Sequence, residues 1–420
     1  MPTRHSQLSF AFKARTASSL IYGTACSGEN IDEKIRNNHI ERNGKMAGLN
    51  QTPKSERIHI AFFGLRNAGK STLVNKFTGQ NLAIVSDVAG TTTDPVSKAM
   101  EILPLGPCLI TDTAGLDDVG ALGELRVRKT LDVLKTVDIA IWVDAGDGNL
   151  DSPWHQTFLE ECKQRKVAVL DYRRGDDVAD LKKKVAAIHI EDDALGLLEG
   201  LLPEKASIVL VCPQDESAPK GRLILPQQQM VRDALERGAW TTVCQPAELA
   251  DVIECLKKVD LVITDSQAFG EVKKILASFA PRKFRLTSFS ILFARRKGDI
   301  AVYREGLKAI AALKDGDSVL IAEGCTHRRQ CTDIGTVKIP RWLESYTKGK
   351  KLDLSFTSGR GWPSEEELKQ YALVIHCGAC MLNRREMRSR ITDCIRIGVP
   401  IVNYGILIAK LRGVSFSEDL

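Results

Sequence analysis

The segment "GLRNAGKS" (64–71) follows directly on the apolar run Ile58–Phe63 and leads into a stretch with helical spacing. It has the form G-x-x-x-x-G-K-[ST], which works only where a strand ends in a tight turn and a helix begins, so it predicts an α/β fold on a parallel sheet. Gly64 and Gly69 let the backbone curl, so that N–H groups from Asn67, Ala68, Gly69, Lys70, Ser71 and Thr72 converge on phosphate oxygens. Lys70 then reaches the terminal phosphates and the Ser71 hydroxyl ligates Mg²⁺. Downstream, "DTAG" (112–115) closes the next long strand, placing Asp112 in the Mg²⁺ shell and the Gly115 N–H at a γ-phosphate. Between the two, "GTTTD" (90–94) supplies the Thr91, Thr92 and Thr93 hydroxyls on a loop of the kind that orders around γ-phosphate, Thr93 being the candidate for Mg²⁺ and hydrolysis. Three elements in this order predict a nucleotide hydrolase, with Lys70, Asn67 and Thr93 as its catalytic candidates.

Strands expected at Ile58–Phe63, Cys108–Asp112, Ile139–Asp144, Val167–Leu170 and Ile208–Cys212 alternate with helical stretches. The stretch "CPQDESAPKGR" (212–222), with two prolines and a glycine, reads as a linker. Beyond it, helices near Gln228–Arg237 and from Pro246, with strands near Trp240–Val243 and Leu261–Ile263, make a second unit. A helix follows at about Val302–Leu313, and a third unit runs from the strand Ser318–Ala322 to the end. The expected divisions are a 1–50 extension, 51–218, 219–300 and 301–420.

A chain of 420 residues accommodates two or three such cores. Its net charge is +6, and residues 1–50 carry seven basic against four acidic side chains, so the other 370 hold only 6 − 3 = +3. That balance argues against a dedicated nucleic-acid surface. No apolar run reaches the roughly 18–20 residues that span a bilayer, so no membrane partner is expected. Eleven cysteines, an odd number without a secretory pattern, point to reduced thiols in the cytoplasm. Up to Ser27 the chain has no acidic residue and many Arg, Lys, Ser and Thr. Residues 1–47 therefore read either as an organelle transit peptide or as a disordered extension before a true start at Met46.

"GCTH" (324–327) and "HCGAC" (376–380) each end a candidate strand, and together they give C-x-H … H-C-x-x-C. Cys377 and Cys380 can chelate one centre, Cys325 is the obvious third donor, and His327 and His376 are either ligands or structural histidines. A tetrahedral zinc site and an iron–sulfur cluster both fit these donors. Two departures concern the nucleotide. Leu116 stands where signalling GTPases carry a water-orienting glutamine, so hydrolysis should be slow. Where a guanine-reading N-K-x-D is expected the chain has "DYRRGDD" (171–177), in which Asp176 and Asp177 are candidates for the base edge although neither spacing matches, so a preference for GTP over ATP rests on family resemblance alone.

"NAGKS" with "GTTTD" resembles the TrmE–Era–EngA branch of GTPases, in which an asparagine matching Asn67 helps bind a K⁺ ion. More specifically, "KGRLILP" (220–226), "ITDSQAF" (263–269), "LTSFSILFARRKGD" (286–299), "IPRWLE" (339–344) and "HCGACMLNRREM" (376–387), with the phosphate turn, resemble the HydF family of [FeFe]-hydrogenase maturation GTPases, in order over about residues 48–412. The resemblance implies a P-loop GTPase domain followed by two smaller α/β domains, one for dimerisation and one for iron–sulfur cluster binding. It implies GTP and Mg²⁺, and a [4Fe–4S] cluster on Cys325, Cys377 and Cys380. Candidates for the fourth position are His327, His376 and Cys331. It also implies a scaffold that carries a diiron carbonyl/cyanide unit, works as a homodimer, and meets radical-SAM hydrogenase maturases and apo-[FeFe]-hydrogenase. If residues 1–47 are a transit peptide, the location becomes a hydrogen-producing organelle. Arg384, Arg385 and Arg388 offer charge to offset a thiolate-ligated cluster. The phosphate motifs end near residue 118 and the ligands begin at 325, so coupling is expected through the dimer rather than directly. The competing reading is an RNA- or ribosome-associated GTPase with a structural zinc site.

Overall fold

The computed structural model describes residues 52–79, 96–117, 121–146, 152–190, 196–214, 223–325, 333–359 and 361–414. The 1–50 extension, Thr91, Thr92, Thr93, His327 and Cys331 lie outside the described residues.

Three sheets follow one another along the chain. The first contains β1 (Ile58–Phe63), β2 (Val96–Ile102), β3 (Gly106–Asp112), β4 (Ile139–Asp144) and β5 (Ala168–Arg173), in the spatial order β2-β3-β1-β4-β5. Only the β2–β3 pair is antiparallel. Its helices are α1 (Lys70–Thr78), α2 (Ala121–Leu134), α3 (Pro153–Gln164) and α4 (Val178–Ala187). Central β1 and β4 are continuous apolar runs because both sheet faces are covered. Ile60 and Phe62 bury one face with Phe77, whereas Ala61, Phe63 and Trp142 bury the other with Phe158. The chain reverses its winding at β1, which lies between β3 and β4, and the carboxyl end beside such a switch point is where α/β sheets bind ligands.

The second sheet, ordered β7-β6-β8-β9, joins β6 (Ser207–Val211), β7 (Trp240–Cys244), β8 (Leu261–Thr264) and β9 (Leu286–Ser288), all parallel. Its helices are α5 (Leu225–Glu236), α6 (Leu249–Cys255), α7 (Phe269–Ala277) and α8 (Phe289–Lys297). By sequence the strand at Ile208–Cys212 falls before the linker, with the first unit. Its ladders run to β7 and β8 instead, so the change of sheet falls before Ser207. Apolar content marked this strand as buried without saying which sheet buries it.

The third sheet, ordered β11-β10-β12-β13, is again parallel: β10 (Ser318–Glu323), β11 (Asp353–Ser358), β12 (Leu373–His376) and β13 (Ile401–Asn403). Its helices are α9 (Ile300–Ala312), α10 (Ile339–Tyr346), α11 (Glu365–Leu368), α12 (Arg384–Ile397) and α13 (Tyr404–Leu411). Helix α8 is apolar around most of its circumference because two sheets use it. Phe289, Leu292 and Phe293 enter the core of the second sheet, while Ile291 and Ala294 enter that of the third.

Candidate functional site

At the end of β1 three residues take positive φ within six positions: Gly64 (+148°), Asn67 (+60°) and Gly69 (+92°). The glycine at 64 is sterically required, since a Cβ there would lie 2.5 Å from the Val143 carbonyl oxygen of β4. Lys70, 7% exposed, folds back over the turn and donates from Nζ to the carbonyls of Gly64 (3.2 Å) and Leu65 (2.7 Å). Ala68 is buried in the core and so offers the turn only its backbone, while Asn67 and Thr72 are exposed. The Ser71 hydroxyl donates to Asp112 Oδ2 at 2.6 Å. Asp112 is 1% exposed, and its Oδ1 has no protein partner among the described residues. Burial pushes its carboxyl above the usual range, and the Ser71 hydrogen bond and Lys70 pull it back. A hydroxyl and an unpartnered carboxylate oxygen side by side form a donor pair suited to Mg²⁺.

The strand β3 hands over to "DTAG" beside this turn. The Thr113 hydroxyl donates to the Phe62 carbonyl (2.7 Å), the Leu116 N–H to the Gly64 carbonyl (3.3 Å), and Gly115 abuts the Arg66 backbone. Leu116 is buried (3% exposed), so the position that orients water in signalling GTPases is here a core side chain. On the base side, β5 extends to Arg173 and takes in the first three residues of "DYRRGDD". Asp176 Oδ2 accepts from the Arg173 N–H (2.9 Å), and Asp177 caps α4 by accepting from the Ala179 N–H (2.9 Å). Both acids near the expected base site therefore already serve local turns.

The thiol region sits at the carboxyl ends of β10 and β12, which pair directly with Val319 opposite Leu373 and Ala322 opposite His376. That pairing brings Cys325 and Cys377 together although 52 residues separate them. Cys377 Sγ accepts from the N–H groups of Gly324 (3.0 Å) and Ala379 (3.4 Å). Burial first, then Cys380 and, less strongly, Cys325, push its thiol up to about 12. Among the described residues no three metal-ligating side chains are grouped tightly enough for a single ion.

His376 does not join this group. It is fully buried, and Arg390 Nη1 donates to its Nε2 (3.1 Å), which leaves Nδ1–H to donate to the Cys377 carbonyl (2.9 Å). Successive side chains on a strand point to opposite faces, so a histidine next to an inward cysteine faces away from it. Arg385 is likewise committed elsewhere, to Asp138 (2.6 Å) and the Arg165 carbonyl (3.1 Å), whereas Arg388 is exposed.

The groups that shape this loop come from segments that no metal pattern singles out. Lys297, 2% exposed at the end of α8, donates to the carbonyls of Ala379 (3.3 Å), Cys380 (3.4 Å) and Leu382 (2.8 Å), and pairs with Glu56 at 3.0 Å. The Ser55 hydroxyl donates to the Cys380 carbonyl at 2.9 Å. Asn383 caps α12 through the Glu386 N–H (2.9 Å) and donates from Nδ2 to His59 Nδ1 (3.1 Å) and the Thr136 carbonyl (2.6 Å). The turn after Cys380 thus rests on the amino-terminal edge of the first sheet, at the end of β1 opposite the phosphate turn. Lys297 shares its last turn with Arg295 and Arg296, and nothing in that basic run marks it as the buried one. A cavity of about 240 Å³ opens between the second and third sheets, lined among others by Gly378, Cys380, Ser290, Gln267 and Tyr404.

The first sheet and its turn define a P-loop GTPase class of protein, extended by two further parallel sheets. Residues 59–172 match the family model for "50S ribosome-binding GTPase". Residues 197–298 match "Hydrogen maturase F dimerization domain", and residues 301–416 "Hydrogen maturase F tetramerization domain". The chain belongs to the hydrogen maturase F family. GTPase Der of Xylella fastidiosa strain M23 is 44% identical over 102 residues, 23% of this chain and 22% of that protein. The tRNA modification GTPase MnmE of Endomicrobium trichonymphae is 41% identical over 126 residues, 29% of this chain and 24% of its own. The chain thus spans less than a quarter of the length of these relatives. Among solved structures, a variant of Aquifex aeolicus Era bound to GDP·AlF4⁻ is 16% identical, covering 72% of this chain and 92% of its own, with a TM-score of 0.25.

Proposed function

We propose that this chain hydrolyses GTP and serves as an iron–sulfur scaffold in the maturation of [FeFe]-hydrogenase. At the nucleotide end Lys70 neutralises the terminal phosphates, Ser71 and Asp112 hold Mg²⁺ with Thr93, and the N–H groups of the 64–72 turn bind phosphate oxygens, with Thr91 and Thr92 on the closing loop. Asn67 helps place a K⁺ ion that substitutes for an arginine finger. With Leu116 in the core, no side chain at that position orients water, and turnover is slow.

At the other end Cys325, Cys377 and Cys380 hold a [4Fe–4S] cluster. What supports this donor set is its chemistry: three cysteines follow two adjacent strand ends, and backbone N–H groups are aimed at one sulfur, the kind of contact that tunes thiolate-ligated clusters. When bound, the cluster supplies an iron corner without a thiolate, able to take a bridging ligand from a diiron carbonyl/cyanide unit. The protein's part is to fix three sulfurs and close the turn behind them. The fourth position falls to His327, Cys331 or an exchangeable group, since His376 is turned away. The working form is a homodimer or larger assembly that meets the radical-SAM maturases and the apo-hydrogenase, in the cytoplasm or a hydrogen-producing organelle.

The observation that supports this reading is the pairing of β10 with β12, which sets the Cys325 and Cys377 segments side by side in a chain of the hydrogen maturase F family. Iron and sulfide are measured on anaerobically reconstituted wild type and a Cys377→Ser variant. Brown wild type with about four iron per chain, lost in the variant, is expected. Colourless protein with stoichiometric zinc, or equal iron in the two, overturns it.

A further inference from the structure

The Mg²⁺ donors Ser71 and Asp112 lie on the β3 side of β1, and Gly64 packs against the end of β4 on the other. A bound nucleotide therefore runs from its γ-phosphate near β3 to a base over the carboxyl ends of β4 and β5. Reading guanine there takes a carboxylate with both oxygens open, one for the ring N1–H and one for the 2-amino group. The four described carboxylates at these strand ends are already engaged. Asp144, 1% exposed, accepts from the Gly146 N–H (3.1 Å) and from Arg173 Nε (3.4 Å). Asp171 Oδ1 lies 3.2 Å from His155 Nε2 of α3. Asp176 and Asp177 serve the N–H groups of Arg173 and Ala179.

What the segment presents instead is a donor. Set against N-K-x-D after the apolar run Val167–Leu170, it reads D-Y-R-R, with Tyr172 in the lysine place and Arg174 in the place of the guanine-reading acid. Tyr172 turns inward, 7% exposed, and its hydroxyl donates to the Asp176 carbonyl at 2.9 Å. Arg174 is exposed, and its backbone is fixed by donation of its N–H to the Asp144 carbonyl (2.8 Å), one residue past the Asp144–Arg173 pair of the β4–β5 ladder. The residue at the base edge thus has the opposite charge and the opposite hydrogen-bonding sense from the acid that selects guanine.

We propose that Arg174 faces the C2 edge of the bound purine as a hydrogen-bond donor, so that GTP has no advantage over ITP, and XTP, with a carbonyl at C2, is preferred. The assignment rests on the nucleotide-hydrolase reading above and names the residue that sets base choice within it. A guanidinium offers five N–H donors and no acceptor. The C2 oxygen of xanthine accepts from it, the 2-amino group of guanine meets it donor to donor, and hypoxanthine carries neither group.

Phosphate release by the full-length chain is measured with GTP, ITP and XTP under the same Mg²⁺ and K⁺. In wild type, kcat/KM for GTP and ITP should agree within about three-fold, and XTP should exceed ITP by at least about three-fold. Arg174→Ala should bring XTP down to the level of ITP while both are still hydrolysed. Arg174 is exposed, so this substitution should leave folding intact, and the wild-type series needs no variant at all. GTP ahead of ITP by more than about three-fold in wild type overturns the proposal, since a carboxylate must then read the 2-amino group. XTP less than about three-fold ahead of ITP overturns it as well, and so does an Arg174→Ala variant that keeps the XTP preference. Wild type that releases phosphate from none of the three instead sinks the hydrolase reading, and this assignment with it.

Discussion

The two ends of the molecule reach their chemistry by opposite routes. The phosphate turn is nearly self-contained: one continuous segment, three positive φ angles and a lysine folded over its own carbonyls. The thiol loop is composite. Its sulfurs come from two strand ends, its carbonyls are held by Lys297 of α8 and Ser55 ahead of β1, and its helix is capped by an asparagine that also grips the first sheet. Local geometry suffices to bind phosphate, where backbone N–H groups are the ligands. A loop built from two distant strand ends needs tertiary scaffolding, and here the GTPase sheet supplies part of it.

The comparison breaks first at Lys70. Lys70→Ala should lower kcat/KM for GTP by on the order of 10²–10³-fold, because it removes charge where phosphoryl transfer develops it. Iron content should stay at the wild-type level, since Lys70 follows the carboxyl end of β1 and the turn after Cys380 rests on its amino-terminal edge. Phosphate release and iron analysis on the same preparation check this. A parallel fall in iron would mean that the two ends are not separable.

Lys297→Met probes the composite end. Removing the buried ammonium leaves the Ala379 and Leu382 carbonyls without their donor and Glu56 with Arg296 alone, and breaking a buried pair costs up to about 3–5 kcal/mol. Thermal unfolding should shift down and the iron retained after gel filtration should fall, while GTP affinity stays within about two-fold. Unchanged iron would show that the turn after Cys380 holds its shape without the clamp.

Asn383→Ala should have a smaller effect, about 1–3 kcal/mol, from a lost helix cap and unpaired partners at His59 and Thr136. Its sharper readout is hydrogen exchange. Protection should drop at the start of α12 and at the edge of β1 together, and a loss confined to α12 would sever the link between the two ends.

Sequence legibility follows the same division. The phosphate turn was readable because its function resides in consecutive backbone positions. Cysteine spacing points to two strand ends, which the β10–β12 pairing brings side by side, but adjacency in sequence misleads for His376, since neighbouring strand residues face opposite ways. The Ile208–Cys212 strand was recognised as buried, yet hydrophobic content carries no address for the sheet that buries it. The separation of residues 118 and 325 suggested distant sites. The structure seats the turn after Cys380 on residues 55–59, at the end of β1 opposite the phosphate turn, a contact that no local pattern encodes.

The smallest effect separates two arginines that look equivalent in "NRREMR". Arg385 pairs with Asp138, which itself accepts from the His59 N–H at 2.8 Å, so this ion pair extends the same seam between first and third sheets. Both partners are partly exposed, which limits the expected cost of Arg385→Ala to about 1 kcal/mol. Arg388 is exposed, and Arg388→Ala should stay within about 0.5 kcal/mol. If these residues served mainly to balance cluster charge, both variants would lower iron retention alike, and raising salt would have the same effect. If Arg385 is a docking residue, its variant alone should loosen the seam, seen as faster exchange at His59 with iron unchanged. Charge near a cluster and charge across a domain seam are indistinguishable in composition, and only the partner of each guanidinium tells them apart.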